Sequence, residues 1–276
     1  MLKTTAALAA ALLATSVPTL VFSPPAREVE RDVPYVPTPQ PVVDAMLKLA
    51  GVTAGDYHID LGCGDGRIVV TAAKRYGTRG LGVDIDPERI GEARFNAEVA
   101  GVLDKVEFRR ADLFDTDISG ADVLTLYLLP SVNMRLRPTI LARLKPGTRV
   151  VSHDFDMGDW PADQQVRLPE EGSTIYLWIV PANVAGRWRV TGPDGRTHDV
   201  ALEQRFQRLT IHHGANATAT PLGPGRVTGD RVTFTLPDGT PFDGRAAGEV
   251  IAGANGWRAV RIGDYRAVPR AGTVHI

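Results

Sequence analysis

Three features of the sequence predict an α/β domain followed by a small all-β domain. From residue 57 to residue 153, short apolar runs alternate with segments of helical periodicity, which is typical of a parallel sheet covered by helices. A glycine-rich turn follows the first apolar run, where a strand would give way to a helix. After residue 181 the helical periodicity ends, and short alternating segments are separated by turn sequences such as Gly-Pro-Asp-Gly. The chain has 276 residues, 43% of them hydrophobic, which is enough for more than one core.

The N-terminal segment, residues 1–22, differs in composition from the rest of the chain. Lys3 is followed by an uncharged run, rich in Ala and Leu, that extends to Phe22. A basic start and an apolar stretch followed by small residues are typical of an export signal, and the stretch is also long enough for an uncleaved membrane anchor. We therefore expect a cell-envelope protein, with cleavage and the side of the membrane left open. Residues 23–40, rich in proline, are predicted to be a linker that ends in a pre-domain motif.

The α/β part, residues 41–182, is expected to contain seven strands. Its fourth strand is almost entirely apolar, as a central strand covered on both faces should be. The predicted helices are residues 42–50, 66–76, 87–100 and 132–144. The predicted strands are residues 57–61, 80–84, 106–110, 121–127, 148–152, 165–168 and 174–180, of which the last two form a hairpin.

The β-rich part, residues 185–276, is expected to form a small antiparallel sandwich or barrel. Trp, Phe or Val alternates with polar residues in its short segments, so that each segment can bury one face. We place the domain boundary near residue 183. The predicted strands are residues 187–191, 198–204, 207–212, 226–228, 231–236, 248–252 and 257–262.

The turn Asp60-Leu61-Gly62-Cys63-Gly64-Asp65-Gly66-Arg67 carries the strongest functional signal. Its glycines let the backbone turn sharply and let a ligand approach, and the helix that follows offers free N–H groups. The spacing G-x-G-x-G differs from G-x-G-x-x-G, the pyrophosphate fingerprint, and argues against a dinucleotide such as NAD. Asp84 ends the second strand about twenty residues later, where a carboxylate can accept both hydroxyls of a ribose. The sequence therefore predicts a nucleoside site here.

A third element completes a resemblance to a known superfamily. The segment Val106-Glu107-Phe108-Arg109-Arg110-Ala111-Asp112-Leu113-Phe114 resembles the one in which methyltransferases place an acid near the adenine amino group. With the glycine turn and Asp84, it makes the chain resemble the Rossmann-like, seven-stranded methyltransferases that use S-adenosylmethionine (SAM). The resemblance implies SAM as the cofactor. It also implies a set of cofactor-binding residues: Asp60, Gly62, Cys63, Gly64, Gly66, Asp84, Ile85, Asp112 and Leu113.

Residues 33–160 resemble one branch of that superfamily more closely. The branch contains the membrane-associated lysine methyltransferases that act on the ATP synthase c subunit and the adenine nucleotide carrier, together with bacterial relatives. The resemblance implies a protein lysine as the methyl acceptor, and it does not extend to the β-rich part. Its narrower carriers are Pro34-Tyr35-Val36-Pro37-Thr38 and Asp65-Gly66-Arg67, joined by Gly82-Val83-Asp84-Ile85-Asp86 and Asp112-Leu113-Phe114.

Side chains that follow the fourth and fifth strands are candidates for the acceptor side, because loops at the carboxyl edge of the sheet form the ligand site. An amine acceptor must be neutral to accept a methyl group, so an acid, tyrosine or histidine nearby would help. Packing of Tyr127 or Trp160 in the core and a solvated loop at His153 stay open as alternatives. The candidate catalytic residues are Tyr127, His153 and Asp154, and the candidates for substrate binding or access are Tyr35, Pro37, Thr38, Asn133 and Trp160.

Charge, motif content and cysteine content limit the classes of partner that we expect this chain to bind. The net charge of −1 gives no electrostatic argument for nucleic acid. The segment Leu126-Tyr127-Leu128-Leu129-Pro130 lacks the Asn/Asp-Pro-Pro-Tyr signature of enzymes that methylate nucleic-acid amino groups, so we expect no nucleic-acid acceptor. The single cysteine, Cys63, excludes an intrachain disulfide and a multi-cysteine metal site, and we expect it to fill the loop and expect no metal site.

The sequence thus predicts a SAM-dependent methyltransferase, and the family resemblance implies a protein lysine as the preferred acceptor. Two alternatives remain at this point. One is a methyltransferase for a small-molecule or lipid-linked acceptor, and the other is an envelope protein that binds SAM without catalysis.

Overall fold

The computed structural model describes residues 35–214 and 221–264. The predicted export signal or anchor and most of the proline-rich linker therefore lie outside the described residues. Within the described ranges, no helix combines the length and the apolar character needed to cross a membrane.

The first part of the chain forms a seven-stranded sheet with helices packed on it, as predicted, and the predicted ends differ from the observed ones by no more than two residues. The helices are α1 (Gln40–Leu49), α2 (Arg67–Tyr76), α3 (Pro87–Ala100) and α4 (Pro130–Arg143). The strands are β1 (Tyr57–Leu61), β2 (Arg79–Asp84), β3 (Val106–Arg110), β4 (Val123–Leu126), β5 (Arg149–His153), β6 (Gln164–Leu168) and β7 (Ser173–Ile179).

The strand order of this sheet is β3-β2-β1-β4-β5-β7-β6. Strand β1 pairs in parallel with both β2 and β4, so the order of the chain reverses at β1. Strand β7 runs antiparallel to β5 and β6. In open α/β sheets the ligand crevice lies beyond the carboxyl ends of the strands at such a reversal. The glycine turn after β1 is therefore at the expected ligand-binding position.

Alternation along the central strands explains how both faces of the sheet are covered. Ile59 and Leu61 of β1 pack in one buried cluster with Leu136 and Ile140 of α4. Val123 of β4 belongs to a second buried cluster, which includes residues of α1 and α2. The β1 and β4 strands are thus enclosed on both sides, and their polar side chains are cut off from water.

The C-terminal part forms a closed antiparallel barrel of eight strands, which settles the choice between sandwich and barrel. Large side chains fill its interior, including Trp188, Phe234 and Phe242. The strands are β8 (Gly186–Thr191), β9 (Thr197–Arg205), β10 (Arg208–His213), β11 (Pro221–Thr228), β12 (Arg231–Thr235), β13 (Pro241–Ala247), β14 (Val250–Gly253) and β15 (Arg258–Gly263).

Strand β13 is absent from the sequence-based prediction. Its sequence, Pro-Phe-Asp-Gly-Arg-Ala-Ala, has few residues with high strand propensity. Tertiary contacts override this weakness, since Phe242 stacks on Phe234 of β12 with ring centroids 4.7 Å apart. A Cβ at Gly244 would lie 2.9 Å from Ile251 Cγ2, so this glycine allows β14 to pack closely. Barrel closure, a long-range effect, makes this segment a strand.

The β9–β10 turn of the barrel contacts the loop that joins β5 to β6. The Phe206 ring stacks on Trp160, with centroids 5.9 Å apart and an interplanar angle of 17°. Arg205 Nη2 donates to Asp159 Oδ2 at 2.8 Å. The opposite Asp159 oxygen accepts from Arg137 of α4 at 2.5 Å. This loop is consequently held between a helix of the sheet domain and a turn of the barrel.

Two further contacts extend this interface. Gln207 Nε2 donates to the Pro161 carbonyl at 2.6 Å, and Arg226 Nη2 donates to Asp163 Oδ1 at 2.5 Å. The second Asp163 oxygen accepts from the Ile179 N–H of β7 at 2.8 Å. Residues 159–163 thus connect the barrel to the last strands of the sheet.

Candidate functional site

The glycine turn after β1 has a backbone that favours glycine. Gly62, Gly64 and Gly66 have φ angles of 74°, 52° and 75°. Space is also short: a Cβ at Gly62 would lie 2.8 Å from Leu128 Cδ2, and one at Gly66 would lie 2.7 Å from a Phe108 ring carbon. The turn therefore needs glycine for both conformation and packing, and it leaves its backbone open to a ligand.

Asp84 connects the end of β2 to this turn. Its Oδ2 accepts from the Gly64 N–H at 2.9 Å and its Oδ1 accepts from the Asp86 N–H at 2.9 Å. Asp84 and the next residue, Ile85, are half-buried. The two backbone bonds fix the carboxylate at the carboxyl edge of the sheet, where a ribose binds in folds of this kind.

The remaining predicted cofactor residues lie around the same edge. Asp112 follows β3, is exposed, and accepts from the Phe114 N–H at 2.8 Å, while Leu113 is half-buried. Cys63 is buried inside the turn, and burial raises the pKa of its thiol well above the ordinary value. A thiol that stays protonated is a poor nucleophile, which agrees with a space-filling role.

Asp60, two residues before Gly62, is 2% exposed, and its Oδ2 has no hydrogen-bond partner within the described residues. An unpartnered buried carboxylate oxygen favours a cationic ligand. SAM carries an ammonium and a sulfonium charge as well as a ribose. The residues present therefore fit this cofactor, with Asp60 available to its cation and Asp84 to its ribose.

The segment Tyr35–Thr38, here called the N-terminal strap, crosses this edge of the sheet. A Cβ at Gly64 would lie 2.5 Å from Tyr35 Cε2, so the exposed Tyr35 ring lies directly on the glycine turn. The Arg89 guanidinium of α3 is 4.5 Å from the centre of that ring. Pro37 is exposed, whereas Thr38 is buried.

Thr38, at the C-terminal end of the strap, lies between the glycine turn and the end of β5. Arg67 Nη1 donates to the Thr38 carbonyl at 3.0 Å, and Arg67 also forms an ion pair with Asp65 at 2.6 Å. The Thr38 hydroxyl is 3.3 Å from His153 Nδ1. The strap thus connects the glycine turn to the end of β5.

The predicted acceptor-side residues are brought together at the ends of β4 and β5. The Tyr127 and His153 rings are 3.9 Å apart between centroids, and Tyr127 stacks on Phe155 at 6.2 Å. His153 is buried, with Nδ1 near Thr38 and Nε2 2.9 Å from Ser173 Oγ. Both ring nitrogens are therefore engaged within the protein, and burial lowers the pKa of the imidazole.

Asp154 has an unusual backbone, with a φ of 59°, in a region that non-glycine residues adopt rarely. Its Oδ1 accepts from the Thr174 N–H at 2.8 Å, and its Oδ2 lies 3.3 Å from His153 Nε2. Burial, and after it the Asp154 charge, raises the pKa of the half-buried Tyr127 phenol. The phenol is therefore protonated at neutral pH and can donate a hydrogen bond.

Trp160 and Asn133, two of the residues predicted to bind substrate, are buried. Trp160 is 1% exposed and packs between Trp178 and Phe206, so it belongs to the core and cannot line an open pocket. Asn133 is also buried, and its amide nitrogen donates to the carbonyls of Phe155 and Asp156 at 3.2 and 3.3 Å. Asn133 therefore supports the acceptor-side loop from α4. The polarity of that loop did not indicate which of its neighbouring side chains face outward.

Comparisons with known proteins agree with this geometry. Residues 60–164 match the family model described as the ANTKMT methyltransferase domain. The chain is 45% identical over 152 residues to a protein-lysine N-methyltransferase of Saccharolobus islandicus, a match that covers 54% of this chain and 94% of that protein. It is 35% identical over 155 residues to the mouse adenine nucleotide translocase lysine N-methyltransferase, covering 56% of this chain and 65% of the mouse protein.

A crystal structure is also similar. It is described as an RNA methyltransferase from Salinibacter ruber in complex with S-adenosylhomocysteine (SAH), the product form of SAM. The identity is 58% and the TM-score 0.53, and the match covers 54% of this chain and 96% of that one. About half of this chain thus accounts for nearly the whole of the Saccharolobus and the Salinibacter proteins.

Proposed function

We propose that this chain, which belongs to the ANTKMT family of SAM-dependent methyltransferases, methylates the side-chain amine of a lysine in a protein. The observation that carries the proposal is the 45% identity to a protein-lysine N-methyltransferase that is matched over 94% of its length. The arrangement at the ends of β4 and β5 supports it, because aromatic and acidic side chains converge where an amine acceptor would meet the cofactor.

The cofactor supplies an activated methyl group, and the protein supplies alignment. Asp84 is fixed by two backbone N–H groups and is assigned to the ribose hydroxyls. Asp60 is assigned to the cationic part of the cofactor, and the glycine turn admits it closely. Methyl transfer needs little covalent assistance, and proximity of well-oriented groups is worth roughly 7–11 kcal/mol. These residues therefore act by fixing the position and orientation of the methyl donor.

On the acceptor side we assign different roles to the three predicted catalytic residues. A lysine ammonium is attracted to aromatic faces, which Tyr127 and Phe155 provide. The amine must lose a proton before it attacks, and the half-exposed Asp154 carboxylate is the group we assign to receive that proton. His153 has both nitrogens engaged, and we assign it to positioning Tyr127 and the strap.

The experiment is methylation of a whole-cell extract with labelled SAM by the purified full-length protein. We expect the label to disappear on protease treatment, to survive ribonuclease, and to yield methyllysine after acid hydrolysis. The variant Tyr127→Phe serves as a control that removes the phenol hydroxyl and keeps the ring. Label in protein without methyllysine would reject the lysine assignment.

RNA is the second candidate acceptor, because the Salinibacter chain at 58% identity is described as an RNA methyltransferase. The net charge of −1 gives no electrostatic support for it. The same assay separates the two candidates: a label removed by ribonuclease and recovered in methylated nucleosides would establish RNA and exclude lysine. A label in the organic phase would instead indicate a lipid-linked acceptor.

We also propose that the protein resides in the cell envelope, on the basis of the uncharged apolar run within residues 1–22. Fractionation of cells that express the full chain tests this. We expect it in the membrane or periplasmic fraction, and N-terminal sequencing then reports whether cleavage occurs. Recovery in the cytosolic fraction with an intact N-terminus would reject the proposal.

A further inference from the structure

A chain of buried hydrogen bonds runs from His58 through Thr125 to Asp60. His58 Nε2 lies 2.7 Å from Thr125 Oγ1, and the Thr125 hydroxyl donates to Asp60 Oδ1 at 2.6 Å. The exposed fractions of His58, Thr125 and Asp60 are 0%, 0% and 2%. His58 and Asp60 share a face of β1 because they are two residues apart. Thr125 is the partner of Asp60 in the register of β1 and β4.

When Asp60 is charged, the number of protons fixes the direction of this chain. Thr125 has one hydroxyl proton, which it donates to Asp60. The contact with His58 therefore requires Nε2 to carry a proton and to donate it to Thr125 Oγ1. Burial lowers the pKa of His58 to about 4, so the ring is neutral and has a single N–H. Nδ1 is then a bare acceptor, and it indeed has no hydrogen-bond partner within the described residues.

The Asp60 end of the chain has one oxygen without a partner, Oδ2. Burial raises the pKa of this carboxyl to about 7, the Thr125 hydrogen bond opposes the rise, and the Asp84 and Asp65 charges add to it. A cationic hydrogen-bond donor at Oδ2 would stabilise the charged form. In SAM and SAH the α-ammonium group is such a donor, whereas a sulfonium has no N–H or O–H to give.

We propose that His58 and Thr125 are positioning residues for the amino-acid part of the cofactor. They hold Asp60 Oδ1 by two hydrogen bonds in series, which leaves Oδ2 oriented to accept from the α-ammonium group. Neither residue touches the cofactor. The proposal depends on the cofactor alone and is independent of the methyl acceptor.

Calorimetry with two probes tests the proposal on the full-length protein. SAH contains the amino acid, and 5′-methylthioadenosine has the same nucleoside and a thioether but no amino acid. Thr125→Val removes the hydroxyl at nearly constant shape, and Thr125→Ser keeps a hydroxyl and is the matched control. Thr125→Val should weaken SAH binding by about tenfold, the effect of losing a hydrogen bond to a charged group. Its affinity for 5′-methylthioadenosine should change by less than about twofold, as should both affinities of Thr125→Ser.

A double-mutant cycle separates positioning from general support of the fold. In an Asp60→Asn background, Thr125→Val should add little to the loss of SAH affinity, because the effect passes through the carboxylate. His58→Phe removes the donor to Thr125 and replaces Thr125→Val if that variant does not fold. Equal weakening of both probes would overturn the proposal. So would an unchanged SAH affinity in folded Thr125→Val, or additive losses in the cycle.

Discussion

Replacing Phe206 with alanine should loosen the acceptor-side loop without weakening cofactor binding. The Phe206 ring stacks on Trp160 and lies 5.3 Å from the Arg137 guanidinium. Arg137 in turn donates to the Met157 carbonyl at 2.8 Å and to Asp159. Loss of the ring therefore removes a contact from both the core tryptophan and the arginine that holds the loop.

The magnitude follows from the burial of Phe206. Truncation of a fully buried phenylalanine costs about 3–5 kcal/mol, and this ring is half-buried, so about half of that cost applies. The cation–π contact with Arg137 adds roughly 0.5–1 kcal/mol. The total is about 2–3.5 kcal/mol, which for a chain of this size lowers the melting temperature by roughly 4–14 °C.

Three measurements on the full-length variant check this expectation. Thermal unfolding reports the lost stability, and tryptophan emission should shift to longer wavelength as Trp160 gains contact with water. Calorimetry with SAH should give an affinity within about twofold of the parent, since Phe206 does not contact the glycine turn. The control is Arg231→Ala, which breaks a surface ion pair with Asp243 on the barrel and should cost less than about 1 kcal/mol.

Two results would refute the reasoning. An unchanged melting temperature of Phe206→Ala would mean that the stacking contact does not stabilise the fold. A loss of SAH affinity comparable to that of a cofactor-site variant would mean that the barrel turn supports the cofactor site and not only the loop after β5.

Four further predictions concern single carboxylates and Tyr127. Asp84→Ala should weaken SAH binding by ~1–3 kcal/mol, because the ribose hydroxyls lose a charged acceptor; an unchanged affinity in a folded variant would show that Asp84 is misassigned. Asp60→Asn should raise the melting temperature of the cofactor-free protein at pH 8: its folded pKa of about 7 lies above its unfolded value near 4, so its contribution to stability falls as the pH rises between these values. A difference between parent and variant that does not change with pH would contradict this. Tyr127→Ala removes an aromatic face assigned to the acceptor amine and should lower the rate of methylation at unchanged SAH affinity, and the opposite pattern would place Tyr127 on the cofactor side. Hydrogen bonds from Arg205 and Arg137 lower the pKa of the Asp159 carboxyl in the folded protein. The stabilisation from this carboxylate is therefore present above its pKa in the unfolded chain and is lost as the pH falls through its pKa in the folded protein. The melting temperature of Asp159→Asn should therefore depend less on pH below about pH 4 than that of the parent, and parallel curves would reject this contribution.

The elements of the sheet domain follow from local sequence to a large extent. Periodicity places the helices and strands, because each buries a face or stripe whose spacing is visible in a short window. The glycine turn and Asp84 are also local signals, since three positive φ angles in five residues leave little choice but glycine. His58 carried a weaker signal of the same kind, because it lies two residues before Asp60 on a buried strand. Thr125 gave none, since only the pairing of β1 with β4 brings it to Asp60.

The acceptor side is less predictable because long-range contacts assemble it. Trp160 follows a strand end, like a pocket residue, yet a phenylalanine 46 positions later covers it. Asn133 resembles an exposed polar residue, but it is buried and holds two carbonyls of the loop after β5. Barrel strand β13 was missed for the same reason, since its neighbours on β12 and β14 supply the apolar contacts that its own sequence lacks.

The cofactor side and the acceptor side of the candidate site are supported by different parts of the chain. The residues assigned to the cofactor, from Asp60 to Leu113, lie within the family match. The loop after β5 is held from three directions: by Asn133 from α4, by the N-terminal strap through His153, and by the barrel turn at Phe206. The matches to the Saccharolobus and Salinibacter proteins each cover 54% of this chain. The barrel turn contacts the loop after β5 directly, so a substitution there is expected to change acceptor preference before any change in SAM affinity.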